Sequence, residues 1–267
     1  MPKQNNFFSK SWVIKVGGSL LARDQFADWV KSVTQVMRQH PTVLVHGGGK
    51  EITELGEKLG VKSRFVSGRR FTDDKIMSIV EMVLSGKVNP RIVSLLNSFG
   101  VKAVGLSGVD GKIVQAEPIA GLGLVGKIKK IETSFIQLLL EKKYVPVFAS
   151  CAVNGNGQSL NINADEMACA LASRIQAENL ILFTDKPGIL DDRGQTIDQI
   201  SLEESKRLIQ EEVITGGMIP KVESAFRALK AGVKTIWILE GKLPLKGARG
   251  TVFSLKESKD VTHPFKK

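Results

Sequence analysis

The sequence predicts an α/β protein: a three-layer sandwich in which a mainly parallel sheet lies between helical layers. Three observations lead there. Short apolar, β-branched runs alternate with longer stretches whose apolar residues recur at helical spacing. Two of the runs end directly in glycine turns, at residues 17–18 and 47–49. No low-complexity linker divides the chain, so its two halves, 12–151 and 152–255, are expected to share one continuous sheet.

The elements follow in order. WVIKV at 12–16 reads as a buried strand broken only by Lys15. Phe26, Trp29, Val30, Val33 and Met37 mark one face of the next helix. TVLVH at 42–46 is the second strand, and it passes through Gly47, Gly48 and Gly49 into a helix at 50–59 carried by Ile52, Leu55 and Leu59. After a basic stretch, a helix starts near a cap at Thr72 and Asp73, with Ile76, Ile79, Val80 and Val83 inside. Gly86 is expected to interrupt it. Residues 89–99 form another helix and 101–106 a third strand. The glycine-rich segment 108–126 reads as hairpins or a flap. A helix around Ile136, Leu139 and Leu140 precedes a core strand at 145–149.

In the second half, NGNGQSL at 154–160 has hairpin-turn chemistry. Ala164 to Ile175 fits a core-facing helix. A strand at 180–183, a helix at 202–210, a helix through Ile219, Val222, Phe226 and Leu229, and a strand at 234–239 complete the alternation. GTVF at 250–253 reads as an edge strand, residues 1–11 as a polar lead-in and 257–267 as a loose tail.

Composition narrows the function. With 42% hydrophobic and 24% charged residues, the 267-residue chain has enough apolar material for a large core. No apolar run approaches the ~20 residues of a membrane span, and the N-terminus lacks an apolar signal core. The two cysteines, Cys151 and Cys169, make neither a disulfide framework nor a metal cluster. A cytoplasmic protein is expected, with no membrane partner. The net charge of +11 suits anionic small molecules or nucleic acid. The cations are scattered, without an arginine-rich arm or zinc-finger spacing, so nucleic acid is not the expected partner.

A strand that turns through glycine into a helix aims bare amides and the positive helix end at an anion. It can also be a plain tight turn. The glycine run is neither of the two common nucleotide loops. No Gly-Lys pair is followed by Ser or Thr, as a Walker A loop requires. Counting from Gly47, the last fingerprint position of a dinucleotide loop falls on Ile52 rather than Gly or Ala. Lys15 interrupts a buried strand, so it either meets an anion or reaches solvent from a sheet edge. Lys221 sits near a helix N-terminus, where the dipole disfavours it. Asp165 opens a helix, where capping alone would explain it.

Seven segments in order carry a resemblance: IKVGGSL (14–20), VHGGG (45–49), SGRRFTD (67–73), VEMVLSGKVN (80–89), LNINADEMA (160–168), TDKPGIL (184–190) and ITGGMIPKV (214–222). Together they resemble the amino-acid kinase family, with its carbamate-kinase-like fold, across residues 12–253. They are most similar to its branch that phosphorylates the side-chain carboxylate of N-acetyl-L-glutamate in arginine biosynthesis. The resemblance implies catalytic roles for Lys15, Asp165 and Lys221, the aspartate orienting two lysines that stabilise the transferring phosphoryl group. It implies acceptor binding by Gly17, Gly48, Gly49, Arg70, Asn161 and Asn163, with Arg70 gripping the acceptor's α-carboxylate. It implies ATP binding by Asp185, Lys186, Pro187, Gly188, Ile189 and Leu190, and by Val213, Ile214, Thr215 and Gly217. Mg²⁺ would be held mainly by ATP phosphates, with no metal-ligating residue of the protein. The N-terminal lobe, 12–151, would bind the acceptor and dimerise; the C-terminal lobe, 152–255, would bind ATP.

Two positions depart from the family pattern. Lys50 follows the glycine run where Pro is usual, and Arg69-Arg70-Phe71-Thr72 stands for Leu-Arg-Val-Thr. The second touches the acceptor pocket, which keeps open a related kinase for carrier-protein-linked aminoadipate or glutamate. A non-catalytic ATP- or amino-acid-binding regulator is a further alternative, opposed by retention of Lys15, Asp165 and Lys221. Arginine-sensitive members carry an extra N-terminal helix that links dimers into a hexamer. Only about ten polar residues precede the first strand here, so a homodimer insensitive to arginine is expected.

Overall fold

A computed structural model describes residues 8–21, 24–66, 68–255 and 263–265. Most of the predicted lead-in and tail therefore lies outside the described residues, but the described part of the tail is not loose: Phe265 is buried in the core. In chain order the elements are β1 (Trp12–Val16), α1 (Gly18–Leu21), α2 (Phe26–Gln39), β2 (Thr42–His46), α3 (Gly49–Lys58), β3 (Phe65–Val66), β4 (Arg69–Arg70), α4 (Asp74–Glu81), a π-helical stretch (Met82–Val88) and α5 (Asn89–Ser98). There follow β5 (Ala103–Ser107), β6 (Val114–Pro118), β7 (Gly126–Ile131), α6 (Ser134–Glu141), β8 (Val145–Ala149), β9 (Cys151–Val153), β10 (Ser159–Asn161) and α7 (Ala164–Ile175). The chain ends with β11 (Asn179–Thr184), β12 (Gln199–Ile200), α8 (Leu202–Gln210), α9 (Met218–Lys230), β13 (Thr235–Glu240) and β14 (Gly250–Phe253).

One sheet of eight strands, in the order β12-β14-β13-β11-β1-β2-β8-β5, runs through both halves of the chain. It is parallel except where β13 meets β14. Both faces are covered, as a parallel sheet requires. Alternate residues of each strand feed opposite cores. Trp12, Ile14 and Val16 of β1 join a core with α2, α3, α4 and α5. Val13 of the same strand joins a second core with α6, α7, α8 and α9. Lys15 shares Val13's parity, so it points to the α7 side, and that choice of face builds the site.

Segment 108–126 contributes β6 to a smaller sheet of order β10-β9-β6-β7, and β9–β10 is the hairpin predicted from NGNGQSL. β3 and β4 pair as a separate short hairpin. Three expectations are corrected. Gly86 does not break its helix; the turn widens into the π stretch, which runs directly into α5. The third parallel strand starts later than the apolar run, because Val101 donates to Leu96 O and closes the end of α5. GTVF is not the edge strand expected: β14 lies between β13 and β12, and β12, with two residues too few to show a period, takes the edge.

Phe148 is fully buried in β8, in the second core. Phe148→Ala is expected to lower unfolding free energy by about 3–5 kcal/mol, the range for emptying such a site. Denaturant unfolding with a loss under about 1 kcal/mol would contradict this packing.

Candidate active site

β1 and β2 are adjacent and parallel, with Val16 opposite His46. Both therefore release their glycine turns at one edge of the sheet, where ligands of open α/β folds bind. The two turns press together. A Cβ on Gly18 would come 3.2 Å from Gly49 N, and one on Gly48 would come 2.7 Å from Leu84 Cδ2 of the π stretch. Glycine allows these approaches without displacing a neighbour. Helix α3 starts at Gly49 with no side-chain cap, so its first amides are not satisfied by a capping side chain.

The site's charge centre spans three elements. Lys15 Nζ of β1 lies 2.8 Å from Asp165 Oδ1, and Lys221 Nζ of α9 lies 2.5 Å from Asp165 Oδ2. The three side chains are 10%, 17% and 11% exposed, in the order Lys15, Asp165, Lys221. β1 is interior in the sheet, which excludes the edge-strand explanation for Lys15. Capping does not explain Asp165 either. Asn163 caps α7, its Oδ1 accepting from the amides of Asp165 and Glu166 at 2.9 and 3.2 Å. This leaves the Asp165 carboxylate for the lysines.

Burial alone would raise the Asp165 pKa, but the two ammonium groups outweigh it and hold the carboxyl well below its usual range. Burial pushes the Lys15 pKa down; Asp165 opposes this and Lys221 adds to it. Two positive charges against one negative leave the cluster net cationic. Cys169 on α7 is buried, its thiol pushed up to about 12, and Cys151 likewise. Both cysteines are packing residues in the cores.

Lys15, Gly17, Gly48, Gly49, Arg70, Asn161, Asn163 and Asp165 line one cavity of about 240 Å³. Leu84, Val125 and Ile162 give it an apolar wall. Arg70 is buried, and burial lowers its pKa. Its guanidinium donates to Gly49 O at 2.8 Å, to Thr53 Oγ1 at 2.9 Å and to Ser63 Oγ. It also lies 4.8 Å over the Phe65 ring. No carboxylate pairs with it among the described residues, so its charge is free for an anion. Asn161 Nδ2 donates to Thr72 Oγ1 at 3.1 Å and ties β10 to the segment after β4.

The residues singled out for ATP lie apart from this cavity, after β11 and ahead of α9. Asp185, Lys186, Thr215 and Gly217 are exposed. Ile189 and Ile214 are core side chains, 1% and 2% exposed, so only their backbone can meet a ligand. Gly188 adopts a φ of +114°, with Ile189 N bonded to Thr251 Oγ1 at 2.8 Å. Lys50 is exposed beside Glu54 on α3, away from the charge centre.

Sequence reasoning missed three contacts. Arg69 pairs with Glu166 at 2.5 Å, joining the β3–β4 hairpin to the start of α7 across the cavity rim. Asn163 is a cap. His46, beside the glycine run, is bonded to Asn89 at 3.0 Å. His46 is a polar residue at the end of a buried run, but the partners of Arg69 and His46 are 97 and 43 residues away.

Fixed cations and amide donors suit phosphoryl transfer. Fold and site together fit a phosphotransferase. Comparison with known proteins makes the class specific: residues 10–240 match the amino acid kinase family, and the chain belongs to it. It is 40% identical over 245 residues to the acetylglutamate kinase of Endomicrobium trichonymphae, covering 91% of this chain and 98% of that protein. It is 45% identical to that of Geobacillus kaustophilus, covering 87% and 91%. Among solved structures, a Streptococcus mutans protein superposes with a TM-score of 0.82 at 31% identity, covering 93% and 100%. Carbamate kinase from Giardia shares the fold at a TM-score of 0.68 and 14% identity.

The depressed Asp165 pKa fixes the sign of an acid effect. The pair stabilises the fold fully above the unfolded carboxylate value of about 3.9, and that contribution is lost as pH falls through the folded value. Asp165→Asn should therefore give a shallower rise of unfolding free energy with pH between about pH 2 and 4 than the unsubstituted protein. Equal slopes would contradict the ion-pair assignment.

Proposed function

We propose that the protein transfers the γ-phosphoryl group of ATP to the side-chain carboxylate of N-acetyl-L-glutamate. The products are N-acetyl-L-glutamyl 5-phosphate and ADP, a step of arginine biosynthesis. The observation that carries this is the Lys15–Asp165–Lys221 cluster facing a cavity that also holds an unpaired arginine. Acetylglutamate kinases similar along nine-tenths of the chain support the choice of acceptor.

Such a carboxylate is ionised near pH 7, so no general base is needed. A carboxylate oxygen bonds to the γ-phosphorus as the bond to the leaving ADP oxygen breaks, and no proton moves. Lys15 and Lys221 offset charge on the phosphoryl oxygens while Asp165 keeps both ammonium groups aimed. Gly17, Gly48 and Gly49 supply amide donors and close approach. Arg70 grips the acceptor's α-carboxylate, Asn161 and Asn163 wall the pocket, and Leu84, Val125 and Ile162 receive its apolar part. The N-terminal lobe, 12–151, serves the acceptor and the homodimer. The C-terminal lobe, 152–255, serves ATP through 185–190 and 213–217.

Mg²⁺ enters with the nucleotide. Among the described residues no group of three or more His, Cys, Asp or Glu stands ready for a metal. Asp165 is engaged by two lysines, so the donor set does not fit a resident ion and no step is routed through one. No described helix is long and apolar enough to cross a membrane; the enzyme is proposed to act in the cytoplasm.

Purified protein should release ADP with N-acetyl-L-glutamate and far less with carrier-linked aminoadipate or glutamate. The reverse preference, which the Arg69 departure would favour, would overturn the acceptor assignment. Arg70→Ala should raise the acceptor KM about tenfold or more, and an unchanged KM would move the carboxylate grip elsewhere. Light scattering should show a dimer; a monomer or hexamer would contradict the assembly.

A further inference from the structure

His46 is a buried titratable group that the proposed chemistry leaves unused. It is fully buried at the end of β2, one residue before the glycine run. Burial holds its pKa down at about 4, so the ring is neutral near pH 7.

Its two nitrogens have partners that dictate the tautomer. Asn89 Nδ2 lies 2.8 Å from Val147 O, a pure acceptor, so that end of the amide is the NH₂ group. The same nitrogen lies 3.0 Å from His46 Nε2, which must therefore accept. The ring proton is then on Nδ1, 2.9 Å from Gly47 O, to which it donates. In a trans peptide the C=O and the following N–H point in opposite directions. Holding Gly47 O toward the buried ring turns Gly48 N–H the other way, toward the cavity that Gly48 lines.

Asn89 itself is anchored. It is buried where the π stretch meets α5, and it also lies 3.4 Å from Leu106 O of β5. It thus touches β2, β8 and β5 at the end of the sheet from which the glycine turn leaves. Gly105 makes room, since a Cβ there would collide with Asn89 Oδ1. The π stretch adds Leu84, Val83 and Val88 beneath Gly48, and π turns recur at functional sites.

We propose that His46, its tautomer set by Asn89, is a positioning residue that fixes the peptide plane of the glycine turn, so that its amide donors face the moving phosphoryl group. The inference rests on the phosphoryl-transfer reading of the cavity. Neither side chain touches the cavity, so neither is a catalytic residue.

The test separates the two claims. In the unsubstituted protein, long-range ¹H–¹⁵N correlation of labelled histidine should show His46 neutral with its proton on Nδ1 from pH 6 to 8. A proton on Nε2 would overturn the proposal whatever the activity. Kinetics then address function. His46→Asn keeps a donor near Nδ1 and should retain kcat within about threefold. His46→Gln keeps only the contact toward Asn89 and should lose about tenfold or more in kcat, with both KM values within about threefold. Gln and Asn variants equally impaired, or equally active, would overturn it. Unsubstituted protein lacking kinase activity would instead sink the phosphoryl-transfer reading and leave the tautomer result standing.

Discussion

The structure depends on one carboxylate. Without Asp165, two ammonium groups would face each other inside the protein, at a desolvation cost of several kcal/mol per ion. With it, the cluster is held together and remains cationic by one charge. The elements around it exist to bring these three side chains to one point. β1 must be interior for Lys15 to be buried, α7 must be capped by Asn163 for Asp165 to be free, and α9 must start opposite both for Lys221 to reach.

On the proposed function, the same logic accounts for a cavity with glycine walls and an arginine that no carboxylate pairs among the described residues. An acyl phosphate is made from an acceptor that is already anionic, so the protein's task is to gather negative groups that repel one another. Lysines, helix ends and amides do that without proton traffic. Arg69 and Glu166 add a rim contact that ties the β3–β4 hairpin to α7.

Much of this was legible in the sequence, and the boundary has a physical cause. The parallel sheet could be read because each strand is a short apolar run with a glycine or polar stop. Lys15 was conspicuous because a charge in such a run is costly. Asp165 was ambiguous, since a carboxylate in a first helical turn is welcome with or without a partner. Only the three-dimensional position of Asn163 resolves it. The π stretch was invisible, because nothing in MVLSGKV separates a widened turn from a broken one. The His46–Asn89 bond was equally hidden, as pairings between distant polar residues leave no periodic trace.

On the proposed mechanism, the cluster stabilises the phosphoryl group in flight more than it binds the ground state. Calorimetric titration of Lys221→Ala and the unsubstituted protein with ATP, and separately with ADP–aluminium fluoride plus N-acetyl-L-glutamate, measures this difference. A loss of about 100-fold or more is expected for the transition-state mimic, with ATP affinity changed less than about threefold. Equal losses for both ligands would mean that the lysine only binds nucleotide, and would contradict the claim.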